Sequence, residues 1–99
     1  MAKFRLTNKA VIDLSDIWDY TYDTWSEKQA DKYYSDLING CSELSKNPIL
    51  GKGYEKIDNN LKGFKLNEHI IFYSVISKNE IVIERILHSR MDFKRWLNK

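Results

Sequence analysis

Residues 69–75 (HIIFYSV) and 81–87 (IVIERIL) are two runs dense in β-branched and aromatic side chains. They are separated by the polar stretch Ser77-Lys78-Asn79-Glu80. Apolar runs of this length on either side of a short polar connection predict a β-hairpin. No other part of the chain restricts the fold as much, because a hairpin needs further strands on its flanks and a cover on at least one face. Residues 70–76 are apolar on both alternating sides, so the sequence does not assign which face meets the cover. The second strand runs directly into His88, Arg90 and Asp92. Such a cluster is either polar trim at a sheet end or a functional surface.

The rest of the chain supplies the flanks and the cover. Residues 3–7 alternate, with Phe4 and Leu6 on one side and Lys3 and Arg5 on the other, and predict a short first strand. Thr7 stands where a helix N-cap is wanted. Ala10, Leu14, Ile17, Trp18, Thr21 and Trp25 then recur at helical spacing, while Asp13, Asp16, Asp19 and Asp23 share a solvated face. Ser26 and Gln29 make an S-x-x-Q capping pattern that starts a second helix. Its buried stripe is Ala30, Tyr33, Tyr34, Leu37, Ile38, Cys41 and Leu44. Gly40 inside it implies a close crossing with the other helix. Asn47-Pro48 stops the helix, since a residue before proline avoids helical geometry. Residues 54–57 read as a short edge strand and residues 61–66 as a longer one, with a turn at Asn67-Glu68. Residues 91–97 make a last helical turn anchored by Trp96 and Leu97.

The expected fold is α+β in a single domain over residues 1–99. An N-terminal strand precedes an antiparallel helical hairpin, which packs on one face of a curved antiparallel sheet of three to four strands. A short C-terminal helical turn ends the chain. The opposite sheet face is expected to stay partly open, which favours a partner.

Charge is unevenly spread. Residues 10–45 carry eight acids against two lysines, whereas residues 46–99 carry eleven bases against six acids. The basic half suits an acidic peptide or nucleic acid, and solvated helix faces account equally for the acids. A single cysteine, Cys41, excludes an intrachain disulfide and reads as a small buried hydrophobe. No signal-like apolar run opens the chain and no stretch is long enough to span a membrane, so the expected location is the cytoplasm. Two histidines and one cysteine make no metal-ligand spacing, and no glycine pattern resembles a phosphate loop. No cofactor is expected.

Taken in order, these segments resemble the ParE toxins of the RelE/ParE superfamily of bacterial toxin–antitoxin modules. The resemblance runs nearly end to end. LTNKAVIDLSDIWDYT is similar to the family's first strand and helix, and Gln29-Ala30, Tyr33 and Leu37 to its second helix. Asn47-Pro48 with Gly51 is similar to its post-helix turn, and HIIFYSV and ILHSRMD to its best-marked strands. The resemblance implies a toxin of a type II toxin–antitoxin (plasmid-stabilisation) system that inhibits DNA gyrase, through its A subunit, and blocks replication. It also implies neutralisation by a cognate ParD-like antitoxin, with no sequence-specific DNA binding by the toxin alone. Contacts to target or antitoxin are expected from Arg85, His88, Arg90, Met91, Asp92 and Trp96.

The alternative is a ribosome-dependent messenger ribonuclease of the RelE branch. Metal-free RNA cleavage needs an acid, a base and cations for the transition state. Lys62, Lys65, Tyr73, Arg85, His88 and Arg90 are available for it. That branch places a tyrosine, histidine or similar group near the very C-terminus, and the tail after Asp92 has neither histidine nor tyrosine. Binding without catalysis is therefore the expectation. Structural roles compete at several of these positions. His88 and His69 suit hydrogen bonding at strand ends. Arg90 with Asp92 suits a local ion pair, and Trp96 suits a staple for the tail. Trp18, Trp25, Tyr33 and Tyr34 suit the core.

Overall fold

In a computed structural model, which describes residues 2–97, the first strand β1 (Lys3–Leu6) ends where Thr7 begins helix α1 (Asn8–Thr24). The Thr7 hydroxyl accepts from Ala10 N–H at 3.1 Å and donates to the Glu84 carbonyl at 2.7 Å. One residue thus caps the helix and ties it to the sheet. Helix α2 (Glu27–Lys46) follows after two residues, with the Ser26 hydroxyl accepting from Gln29 N–H at 3.0 Å. So short a connection forces the helices to fold back on each other. A 3-10 turn (Pro48–Leu50) leads to β2 (Lys52–Gly53), then β3 (Leu61–Leu66), β4 (His69–Ser77), β5 (Glu80–His88) and α3 (Phe93–Leu97). Among the described residues, no helix is long and apolar enough to cross a membrane.

The sheet has five strands in the order β1-β5-β4-β3-β2. The β3–β4 and β4–β5 pairs are antiparallel, as expected for neighbours joined by short turns. Asn67 takes φ 54°, the left-handed conformation that a tight turn between β3 and β4 demands. The sheet is nevertheless mixed rather than wholly antiparallel, because β1 pairs in parallel with β5, Leu6 opposite Ile83. Strand β1 also lifts the count above three or four. The partner of β1 lies almost eighty positions away, beyond the reach of local pattern. Residues 54–57 are a turn, not the expected edge strand, and the two-residue strand Lys52–Gly53 takes that place. Tyr54 and Ile57 point inward instead.

The double-sided apolar character of β4 reflects two cores. Ile71 and Tyr73 face the helices together with Leu37, Cys41, Leu44, Ile81 and Ile83. Ile70 and Phe72 face the other way with Leu61 and Leu87. That second face is less open than expected. Phe93 and Leu97 of α3, with Tyr54 and Ile57, lie across it, and the Phe72 and Phe93 rings meet edge-on at 5.0 Å. Val75 and Ile76, at the far end of β4, remain exposed. On the helix side, the buried Tyr73 hydroxyl donates to the Pro48 carbonyl at 2.7 Å and accepts from Gly51 N–H at 2.9 Å. A Cβ at position 51 would collide with that ring, so glycine is required there. Gly40 faces the sheet rather than α1, since a Cβ there would sit 3.3 Å from Ile71 Cδ1. Cys41 is fully buried, and burial pushes its thiol pKa up to about 12. It packs as a small hydrophobe.

The helical stripes differ from expectation at Trp18, Trp25, Tyr34 and Asp13. Trp18 is only half-buried outside the core, its indole N–H donating to Asp31 at 3.0 Å and its ring stacked on Tyr22. Trp25 is 74% exposed and Tyr34 is 41% exposed, so neither belongs to the core. Trp25 lies just past the last turn of α1, where no facing element covers it. Asp13, expected on the solvated face, is buried.

Candidate partner-binding site

The expected contact residues begin on β5. Its pairing with β4 shifts between Phe72 and Tyr73, leaving Glu84 unpaired in a bulge. The bulge lets Ile83 and Ile86, three residues apart, both enter the helix-side core. It also brings Arg85 to α1. Arg85 Nε and Nη2 each donate to the Asp13 carboxylate at 2.8 Å, a two-pronged pair with both side chains nearly buried. Asp13 Oδ2 accepts in addition from Ile86 N–H at 3.0 Å. Strand β1 stops opposite Ile83, so this carboxylate replaces the carbonyl that a longer β1 would have offered. The bond to Asp13 holds the Arg85 guanidinium more firmly protonated than usual.

The remaining Arg85 nitrogen donates to the Trp96 carbonyl at 3.2 Å, and its guanidinium lies 5.9 Å from the Trp96 ring centre. Trp96 thus staples the tail to β5 while keeping 40% of its surface exposed. Arg85 is engaged on both sides inside the fold and positions its neighbours. Beside Trp96 lies a cavity of about 220 Å³ on the second sheet face, bounded by Thr7, Lys9, Ser74 and Glu84.

His88, at the end of β5, sits elsewhere. It is the register partner of His69, and their rings meet edge-on at 5.3 Å. His88 Nδ1 accepts from Arg90 N–H at 3.1 Å, and Nε2 lies 4.0 Å from Glu68. His69 Nδ1 is 2.6 Å from the Tyr33 hydroxyl, which fixes the ring against the N-terminal half of α2. Burial, aided by neighbouring His88, pushes the His69 pKa down to about 4. Met91 is exposed. Asp92 caps α3, accepting from Arg95 N–H at 3.4 Å, and no ion pair joins it to Arg90 among the described residues. Asn98 and Lys99 of the predicted tail lie outside the described residues.

The structure therefore divides the six residues. Arg85 and Trp96 meet each other, His88 faces His69 and Glu68, and Arg90 and Met91 project from the turn between β5 and α3. Asp13 was missed from sequence because it shared the spacing of the other acids. A signal was nonetheless present, since position 13 falls inside the Ala10–Leu14–Ile17 stripe and an unpaired arginine stood in a buried strand. Of the residues considered for RNA cleavage, Tyr73 is buried with both hydrogen-bonding roles of its hydroxyl satisfied. Lys62 and Lys65 lie on β3, with β4 between them and Arg85 and His88 of β5.

The depressed pKa of His69 has a measurable result. The unfolded chain takes up a proton at this ring near pH 6.5, whereas the folded chain does so only near 4. Between those values the unfolded state holds more protons, so stability is complete above 6.5 and falls as the pH drops through the window. Urea unfolding at about pH 7 and about pH 5 should show this loss, and His69→Asn should flatten it. An unchanged slope in the variant would assign the loss to other groups.

The family model described as ParE toxin of type II toxin–antitoxin system, parDE, matches residues 4–93. Toxin ParE1 of Mycobacterium tuberculosis is 32% identical over 94 residues, covering 95% of this chain and 96% of that protein. Toxin ParE1 of Caulobacter vibrioides is 30% identical over 97 residues, covering 98% and 99%. A solved structure described as the chromosomal ParDE TA system from P. aeruginosa superposes with a TM-score of 0.75 at 23% identity, covering 89% of this chain and 96% of that one. That last likeness is one of fold.

Proposed function

This chain belongs to the ParE toxin family of type II toxin–antitoxin systems, and from that premise we propose that it arrests growth by binding DNA gyrase, through the A subunit, in the cytoplasm. A ParD-like antitoxin neutralises it. The family match over residues 4–93 carries this reading. Within the fold, His88, Arg90, Met91 and Trp96 offer the contact surface, while Arg85 and Asp92 hold that surface in place. An exposed arginine and methionine in the turn after β5, with an exposed tryptophan on α3, have the composition of a protein-binding hot spot. Of the groups considered for RNA cleavage, Tyr73 and Arg85 are engaged inside the fold and Lys62 and Lys65 lie on β3, across β4 from His88, which favours grip over chemistry.

Induced expression should stop growth with inhibited supercoiling and intact transcripts. Arg90→Ala with Met91→Ala should relieve the arrest, while folding and antitoxin binding are checked separately. Rapid transcript loss with normal supercoiling would replace this reading by the ribonuclease one. Antitoxin binding without any arrest would leave the chain as a binding module alone.

A further inference from the structure

Two aromatic side chains stand out by their exposure. Trp25 is 74% exposed and Tyr20 is 69% exposed, more than any other aromatic residue described. Both stand at one groove of about 550 Å³ between the helical hairpin and the β3–β4 turn, whose walls include Tyr33, Asp36, Glu68 and His88. That volume lies within the roughly 300–1,000 Å³ usual for binding pockets.

The charge of the groove selects its occupant. Lys32 also lines it, but its ammonium is tied to Asp36 at 3.1 Å, one helical turn along. The Glu68 carboxylate lies 4.0 Å from His88 Nε2, with Tyr33 and His69 also in its field, and its side chain is largely exposed. His69 stays neutral above about pH 4 and its Nδ1 is engaged by Tyr33. Asp23 and Glu27 flank Trp25 in the chain and make no ion pair among the described residues. An anion, a nucleic-acid strand included, is repelled here. A metal ion is also a poor fit. The His88 Nδ1 accepts a backbone N–H, so its Nε2 carries the proton and offers no lone pair. Among the described residues no cluster of three metal-ligating side chains forms. A cation with a flat face suits the site, since it stacks on exposed rings and bonds a carboxylate edge-on.

We propose that this groove is a docking site for a protein segment presenting an arginine side chain, held between the Trp25 and Tyr20 rings and the Glu68 carboxylate. Charge complementarity carries the assignment, since the helical hairpin around the groove is the acidic part of the chain. The inference goes beyond the toxin reading and does not depend on gyrase as target.

The test is a titration of the intact ¹⁵N-labelled protein with acetyl-Gly-Arg-Gly-amide, following the Trp25 indole N–H, which is assigned by its loss in Trp25→Phe. A saturable shift of that signal is expected. The citrulline peptide keeps the shape but loses the charge, and should bind about tenfold more weakly, the effect of one charge-assisted hydrogen bond. Glu68→Gln should weaken the arginine peptide to a similar extent, and Trp25→Ala should abolish the response at the remaining groove signals. Both positions are exposed, so the fold survives, as circular dichroism will verify. Equal binding of the citrulline and arginine peptides overturns the proposal. So do an unchanged affinity in Glu68→Gln and the absence of any saturable shift with the arginine peptide.

Discussion

Asp13→Ala is expected to remove about 3–5 kcal/mol of folding stability, the cost of leaving one partner of a buried ion pair without the other. The total stability of a domain this size is only about 5–15 kcal/mol. Each kcal/mol corresponds to about 4–8 °C in Tm, so the variant should melt far below the parent or fail to accumulate. The effect is large because one carboxylate serves three donors on two adjacent residues, Arg85 Nε, Arg85 Nη2 and Ile86 N–H. Asp13→Asn keeps an acceptor for Ile86 and should fall between the two. The double variant Asp13→Leu with Arg85→Met removes both charges and should be more stable than either single change, because no unpaired ion remains. Chemical denaturation of the four proteins decides the matter. If Asp13→Ala unfolds at the parent's denaturant midpoint, the pair does not hold α1 to the sheet.

A stop after Asp92 should have the second largest effect. It removes Phe93 and Leu97 from the second core and uncovers Leu61, Ile70, Phe72 and Leu87. For two partly buried side chains the loss is about 2–4 kcal/mol. A newly exposed apolar sheet face also invites aggregation. Growth arrest should disappear as well, yet loss of arrest in the truncated chain alone would not separate contact from folding. Trp96→Ala in the full-length chain separates them, since Phe93 and Leu97 still cover the sheet. Arrest retained in Trp96→Ala but lost on truncation would make α3 a cover only. Arrest lost in both, with Trp96→Ala folded, would place the tail at the target.

The elements themselves were legible because each is written in local chemistry. Thr7 and Ser26 cap their helices, Pro48 ends α2, Asn67 turns left-handed between strands, and the hairpin of β4 and β5 follows its apolar runs. Local pattern failed where a residue's fate depends on something distant. The helical spacing put Trp25 and Tyr34 on buried stripes, but a stripe is buried only where another element covers it. Asp13 was grouped with three solvated aspartates, and only the arrival of Arg85 from β5, over seventy residues later, makes it an interior group. The residues proposed to make contacts share this division. Their clustering near the end of β5 was visible in the chain, whereas their split between an interior anchor, a helix cap and exposed side chains was not.

The order and nature of the elements and the likeness to ParE toxins were written in the sequence, because periodicity, capping and turn chemistry act over a few residues. Tertiary structure decided the parallel seat of β1, the bulge at Glu84, the buried Asp13–Arg85 pair and the covering of the second sheet face by α3. These depend on which strand edge lies free and which side chain reaches it once the chain has closed on itself, and no local pattern encodes that geometry.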